Sequence, residues 1–431
     1  MVSQLALVLA ALLVGTELLF TALDYLNLKY GARAVRTAEE WVRDELGVSD
    51  PDRLLAYQRA KTVLSRAQSW VSLLALLAVL LSGAFADAVR TLTETGLPPV
   101  AQGVLLVVAA AVGGRVLSAP FDAWQTFRIE ERFGFNNQTV GLWLRDFALG
   151  VALAAAFAAV VAGIVLGAVE LLPTLWPVAG WAAVVGLSLA MLVIYPRFIA
   201  PLFNDFDPVE AGPLRDAVED VFDRAGFDCE QVYEMDASRR SSHSNAYFVG
   251  FGRTKRVVLF DTLVEQMDRR AMQAVLAHEL AHWKRAHIWK QLGLSAVRMA
   301  VVFAFLGWVT SSEWAYAAFS LPEVTYAGVV VVVLFAGPIL SLTSPLTNRM
   351  SLAHEREADD FAADVMGDPD PLSDALATLA GENLSNPFPH PAYAAFHMSH
   401  PPIPERIRRL RERHGEGSAD DGDVPQAPTG A

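Results

Sequence analysis

The residues best suited to chemistry sit in the run "VLAHELAHWKRAH", residues 275 to 287. His278 and His282 are four apart, so on an α-helix they share one face and can aim both imidazoles at a common point. Glu279 follows the first of them. That places a carboxylate beside the position a catalytic metal keeps open, where it can take a proton from water. The five-residue pattern also arises by chance in ordinary amphipathic helices. Here the flanks "AVLA" and "LA" are uncharged, as in a buried helix, and two histidines with a glutamate on a buried face are costly without a metal or full hydrogen bonding. One Zn2+ ion is the expected cofactor.

A catalytic zinc takes three protein ligands and leaves the fourth position to water, whereas four protein ligands make a closed structural site. The remaining donors are His243, His287, His354, His390, His397, His400 and His414, with Glu355, Glu357 and Glu382 among the acids. The run "SLAHEREADDFAADVMG", 351 to 367, is rich in helix formers, and Glu355 and Asp359 lie four apart in it. A glutamate ligand with an aspartate one turn on is a useful pairing, because the aspartate can accept a hydrogen bond from a metal-bound imidazole and fix its tautomer. Glu355 is thus the expected third ligand and Asp359 its supporting carboxylate. Glu357 is expected to be a solvated charge, and His287 and His354 supporting or surface residues.

These residues must be carried by a membrane protein. The 431-residue chain is 53% hydrophobic and only 19% charged, with a mean hydropathy of +0.32. Crossing ~30 Å of hydrocarbon takes roughly 20 apolar residues. Seven segments qualify, near 3–23, 67–89, 100–119, 141–172, 179–200, 291–311 and 325–345. The first lacks a basic leader region and contains Glu17, so it reads as a retained helix. The single cysteine, Cys229, cannot form an intrachain disulfide. A net charge of −13 without a sizeable basic stretch argues against a nucleic-acid partner.

Orientation follows from Lys and Arg in the short loops. The loop near 24–66 holds Lys29, Arg33, Arg36, Arg43, Arg53, Arg59, Lys61 and Arg66, and the loop near 120–140 holds Arg128 and Arg132. The intervening loops carry Arg90 offset by Glu94, then Glu170, Glu313 and Glu323 without a cation. The N-terminus is expected outside, with "HELAH" and everything beyond 345 in the cytoplasm. Glu17, Arg115, Asp146 and Arg298 fall within apolar runs, where lipid exposure is costly, which favours an enclosed polar space or interhelical pairing.

The expected organisation is 1–201, five transmembrane helices with cytoplasmic loops; 202–290, a catalytic domain with the "HELAH" helix; 291–347, two further spans; 348–414, the rest of the catalytic domain; and 415–431, a disordered acidic tail. In the polar stretch, "LRDAVEDVFDRAG" has helical period and ends at a glycine. "QVYEMD", "NAYFVGFG" and "KRVVLFD" read as strands, the last two joined as a hairpin through "GFGRT".

The chain resembles the type I CAAX prenyl proteases, seven-span integral-membrane gluzincins. The resemblance is carried by "FRIEERFGFNNQT" (127–139), "YPRFIAPLFNDF" (195–206), "SNAYFVGFGRTKRVVLFDTL" (244–263), "HELAHWKRAH" (278–287), "EREAD" (355–359) and "FHMSHPPIPERIRRL" (396–410). It implies a mainly α fold in which seven transmembrane helices enclose a chamber, plus a small α+β zincin-like catalytic domain. It implies zinc on His278, His282 and Glu355, with Glu279 as general base. It also implies a peptide added as a strand at the edge holding Asn245 and Ala246. A histidine of "FHMSHPP" would stabilise the oxyanion, His397 first and His400 second.

The family's named substrates are C-terminally prenylated proteins. The excess of Arg over Lys and the acidic balance are commoner in GC-rich prokaryotes, where such substrates are not expected and the cell membrane would be the location. The partners expected are a peptide or protein substrate, prenylated if the family's specificity is retained, and the lipid bilayer. Alternatives are a general quality-control protease of the heat-shock-type gluzincin class and a non-catalytic transporter or scaffold with structural zinc. The first would not be expected to have seven spans, and the second leaves the paired "HELAH" and "EREAD" motifs unexplained.

Overall fold

The computed structural model describes residues 4–227, 231–249, 256–317 and 319–413. Among these, seven helices are long and apolar enough to cross a membrane: Gln4–Thr37, Pro51–Leu81, Pro99–Glu130, Val140–Leu171, Trp176–Leu202, His287–Thr310 and Thr325–Leu342, here spans 1 to 7. All seven expected segments lie on them, with two differences. The expected second segment ran to 89, but the helix stops at Leu81, where Gly83 turns the chain at φ 87° before a short helix, Ala84–Glu94. The basic stretch 24–66 is largely helix, because span 1 continues to Thr37 and span 2 begins at Pro51, capped by the Asp50 carboxylate accepting from the Asp52 and Arg53 amides. Polar residues end a hydrophobic segment without ending a helix whose backbone bonds are internal.

The spans pack in a ring: 1 on 2, 2 on 3, 3 on 4, 4 on 5, 5 on 6, 6 on 7, and 7 back on 1. Span 7 also touches span 3 across the ring. One end of the ring is plugged. Leu9, Phe85, Val89, Leu166, Tyr326 and Val331 form a core there, and Tyr326 donates to Gln102 at 2.9 Å.

The charges within the apolar runs find partners. Arg66 bridges Glu17 (3.2 Å) and Asp24 (2.7 Å), Arg115 lies 3.7 Å from Asp122, Asp146 accepts from Arg240 at 2.9 Å, and Arg298 donates to the Leu340 carbonyl at 3.2 Å.

The polar stretch builds a four-stranded sheet, β1 (Phe206–Pro208), β2 (Val232–Met235), β3 (Ala246–Val249) and β4 (Arg256–Phe260), in the order β1-β2-β4-β3. β2 and β4 run parallel, and β3 pairs antiparallel with β4, Ala246 opposite Leu259. β3 therefore ends the sheet. The turn "GFGRT", Cys229 and the tail from 415 lie outside the described residues. The expected helix spans Pro213–Ala225 and closes on Gly226 at φ 60°, left-handed backbone that glycine adopts without strain. Leu259, Leu263, Leu276, Leu280, Leu372 and Leu410 form a core shared by the sheet and the C-terminal helices. Residues before span 6 and after span 7 thereby fold as one body.

Candidate metal centre and active site

The motif helix, Arg269–Lys284, begins where the Asp268 carboxylate accepts from the Ala271 amide. It buries Ala274, Ala277 and Ala281, while the carboxylate helix, Ser344–Met366, buries Ala358, Ala362 and Ala363. Such short side chains let the two packed backbones approach closely. His278 and His282 from one helix then meet Glu355 from the other. His278 Nε2 is 3.3 Å from Glu355 Oε2, His282 Nε2 is 3.2 Å from Glu355 Oε1, and the two Nε2 atoms are 3.3 Å apart.

This donor set fits a tetrahedral ion. Bonds of 2.0–2.1 Å at tetrahedral angles separate neighbouring ligand atoms by about 3.4 Å. The outer nitrogens are occupied as well: His278 Nδ1 lies 3.0 Å from Asp359 Oδ1, and His282 Nδ1 lies 3.1 Å from His287 Nδ1. With those positions carrying or sharing the ring protons, both Nε2 lone pairs face the same point. Glu355 Oε2 is buried, with His278 Nε2 at 3.3 Å and His400 Nδ1 at 2.7 Å.

Electrostatics hold the acids ionised. Burial would raise the Glu355 carboxyl, but hydrogen bonds from His278, His282 and His400 hold it well below the usual carboxylate range. Burial likewise opposes the Asp359 charge, yet the Arg406 guanidinium and His278 bring that group down to about 2. Burial disfavours the His278 cation, and the Asp359 and Glu355 carboxylates outweigh it, pushing the metal-free ring up to about 9. A metal and a proton thus compete for the same nitrogen.

A cavity of about 370 Å³ opens on the cluster, lined by Glu279, His282, Glu355, His400, His287 and Phe248 among others. Glu279 therefore faces the space beside the ligands. Asn245 and Ala246 head β3, the same strand that sends Phe248 into the cavity wall, and the Asn245 carbonyl accepts from the Phe260 amide at 3.1 Å. The outer edge of β3 has no strand partner among the described residues. Of the two histidines in "FHMSHPP", it is His400 that reaches the cluster, with Nδ1 2.7 Å from Glu355 Oε2. His397, the first expectation, ends a short helix and packs against Tyr393 and Phe20, ring centroids 4.6 and 5.1 Å away. The chain leaves the helix at Met398, and His400 returns to the carboxylate helix.

Sequence reasoning missed three supports. Arg406, only 6% exposed, bonds to Asp359 through Nε at 2.9 Å. Its signal was legible: Ile403, Ile407 and Leu410 form an apolar helical stripe, and an arginine occupies the i+3 slot. Glu357 is exposed as expected and also lies 3.1 Å from His287 Nε2, so Glu357, His287 and His282 form a chain. His287 comes back to His282 because Ala286 takes a left-handed turn (φ 57°) between the motif helix and span 6. The third support is a cluster below β3. Tyr57 donates to Glu130 at 2.9 Å, and His243 Nδ1 lies 2.7 Å from Asn383 Oδ1 while its ring stacks on Phe135.

A ring of membrane helices with a His-His-Glu centre at one end defines a polytopic membrane metallopeptidase. Comparison with known proteins agrees. Residues 34–205 match the family "CAAX prenyl protease N-terminal, five membrane helices", and residues 208–414 match "Peptidase family M48". The "CAAX prenyl protease 1 homolog" of Arabidopsis thaliana is 36% identical over 300 residues, 69% of this chain and 70% of that protein. "CAAX prenyl protease 1" of Saccharomyces cerevisiae is 35% identical over 330 residues, 72% of each chain. The crystal structure of S. mikatae Ste24p superposes with a TM-score of 0.86 at 28% identity, over 95% of this chain and 99% of that one. The chain belongs to the CAAX prenyl protease 1 family of M48 metallopeptidases.

Proposed function

We propose that this protein is a zinc endopeptidase that cleaves an extended peptide laid along β3, with the side-chain roles and the substrate class of its relatives. The observation that carries the reading is the convergence of His278, His282 and Glu355 on one point, with Glu279 in the same cavity. Zinc bound there would polarise the scissile carbonyl and make water a competent nucleophile near neutral pH. Glu279 takes the proton from that water and passes it to the leaving amine. His400 donates to the carbonyl oxygen as charge builds on it. Asp359 holds the His278 tautomer, and Arg406 keeps Asp359 anionic. The Asn245 side-chain amide and the outward-facing main chain of β3 beginning at Ala246 would pair with the peptide backbone, which fixes its register without dictating its sequence.

The catalytic unit comprises 202–290 and 348–414. The distribution of Lys and Arg supports a cytoplasmic active site and an external N-terminus. The names of the relatives support prenylated C-terminal peptides as substrates. Purified protein incubated with a farnesylated CAAX peptide, its unmodified counterpart and an unrelated peptide, with and without chelator, tests this. Chelator-sensitive cleavage of the farnesylated peptide alone supports the full reading. Equal cleavage of all three keeps the protease and rejects the prenyl specificity. Glu279→Gln should fold, retain zinc and lose nearly all hydrolysis; persistent cleavage by that variant would remove Glu279 as the base.

A further inference from the structure

A second large cavity lies away from the metal centre, between the ends of spans 1, 2 and 3 on the same side of the ring. Its volume is about 1380 Å³, beyond the 300–1,000 Å³ usual for small-molecule pockets. Five cations line it, Lys29, Arg36, Arg59, Arg128 and Arg132, against one carboxylate, Asp52. Asp52 is 4.0 Å from Arg36, both side chains being exposed, so that pair is weak. The charge is otherwise unbalanced within the cavity.

The opposite end of the lining is apolar, with Leu64, Val63, Ala60 and Ala67 from span 2. Tyr25, Ala67 and Trp124 sit where the hydrophobic runs of spans 1, 2 and 3 end, and the cations follow one to three helical turns beyond. Trp124 is 57% exposed. An exposed tryptophan at that depth marks the headgroup level of a bilayer. Tyr25, Ala67 and Trp124 thus mark the boundary of the acyl layer, and Leu64, Val63 and Ala60 give the cations just beyond it an apolar wall.

We propose that this cavity binds one anionic diacyl phospholipid of the phosphatidylglycerol kind. Its phosphate would lie among Lys29, Arg59 and Arg128, and an acyl chain along Val63 and Ala67. Basic pockets between membrane helices on one face recognise anionic headgroups in this way. A peptide fits poorly, because spans 1 and 2 are helical here and their main-chain groups are internally bonded. Recognition falls to side chains, which offer positive charge and a greasy wall.

The site has a route to the catalytic unit. The turn Gln125–Glu130 sends Arg128 into the cavity, while Glu130 accepts from Tyr57 and lies 3.6 Å from His243, two residues before Asn245. A lipid seated on Arg128 would brace the segment that supports the head of β3.

The test uses full-length protein in mild detergent, delipidated and titrated with phosphatidylglycerol or with phosphatidylcholine of the same chains, bound lipid being counted by native mass spectrometry. One phosphatidylglycerol per protein is expected, with phosphatidylcholine not retained. Replacing Lys29, Arg59 and Arg128 together with Gln should weaken retention by about 100-fold, roughly fivefold per cation. Ala60→Trp, which fills the acyl wall and keeps every charge, should also lose the lipid. Replacing Arg224, Arg269 and Arg270 with Gln should change nothing. Equal retention of both lipids, or undiminished phosphatidylglycerol retention in the triple and Ala60→Trp variants, overturns the proposal. Displacement by soluble glycerol 3-phosphate at the same concentrations would assign the cavity to free phosphate esters and overturn the lipid assignment.

Discussion

Arg406 grips Asp359 through two parallel hydrogen bonds, Nε to Oδ2 at 2.9 Å and a terminal nitrogen to Oδ1 at 2.5 Å, and the same Oδ1 faces His278 Nδ1 at 3.0 Å. One buried carboxylate thus ties the C-terminal helix, Ile403–Arg413, to His278. Removing only the cation strands that carboxylate, so Arg406→Met should cost about 3–5 kcal/mol in chemical unfolding. Asp359→Asn should weaken metal binding by about 10–100-fold. The double variant should be more stable than Arg406→Met alone; a strictly additive cycle would show that the two residues do not couple.

His282 is held by His287 in a similar manner. His287→Phe keeps the stacking on His354, whose ring lies parallel at 4.0 Å, and removes the partner of His282 Nδ1. Metal transfer to a chromogenic chelator should become about 10–100-fold more favourable. Glu357→Gln should have a smaller effect, because that side chain is 50% exposed and water can replace it.

The two histidines of "FHMSHPP" should separate cleanly. His400→Ala is expected to lower the single-turnover rate by about 10²–10³, the loss typical of an oxyanion donor, with little change in KM. His397→Ala should cleave close to the wild-type rate. The opposite ranking would assign the oxyanion to His397.

His397 instead makes a prediction about pH. Burial against its neighbours lowers its pKa, with the Arg66 charge adding to the effect. The unfolded chain then binds a proton at this ring more readily than the folded one. The stabilising contribution is present above about pH 6.5 and is lost as pH falls through the folded value. His397→Gln should therefore narrow the difference between Tm at pH 7.5 and Tm at pH 5. An unchanged difference would mean that the ring titrates normally.

Chelation should abolish cleavage, and zinc should restore it. It should also lower Tm, since an ion bound only to the folded state stabilises it by about 2.7 kcal/mol at a free concentration 100 times Kd. Thermal unfolding across a zinc titration checks this. A Tm independent of zinc would argue that the cluster does not bind it.

The motifs that could be read in advance are those whose geometry is local. His278 and His282 share a helical face whatever surrounds them, as do Glu355 and Asp359, and each apolar segment declares its own ability to cross a bilayer. What escaped depends on partners remote in the chain. Arg406 stands in the apolar stripe of its helix, but its partner is known only once Asp359 is placed against it, and half-exposed Glu357 gains its contact only when the turn at Ala286 returns His287 to meet it.

The sequence alone determined a seven-span chain with a divided His-His-Glu donor set, because hydrophobic length and i,i+4 spacing act within single helices. Tertiary structure decided that the spans close into a ring, that His400 rather than His397 stands at Glu355, and that β3 ends its sheet beside the metal cluster. Those outcomes are fixed by packing between segments far apart in the chain, where the energies of many weak contacts compete and no local period records the winner.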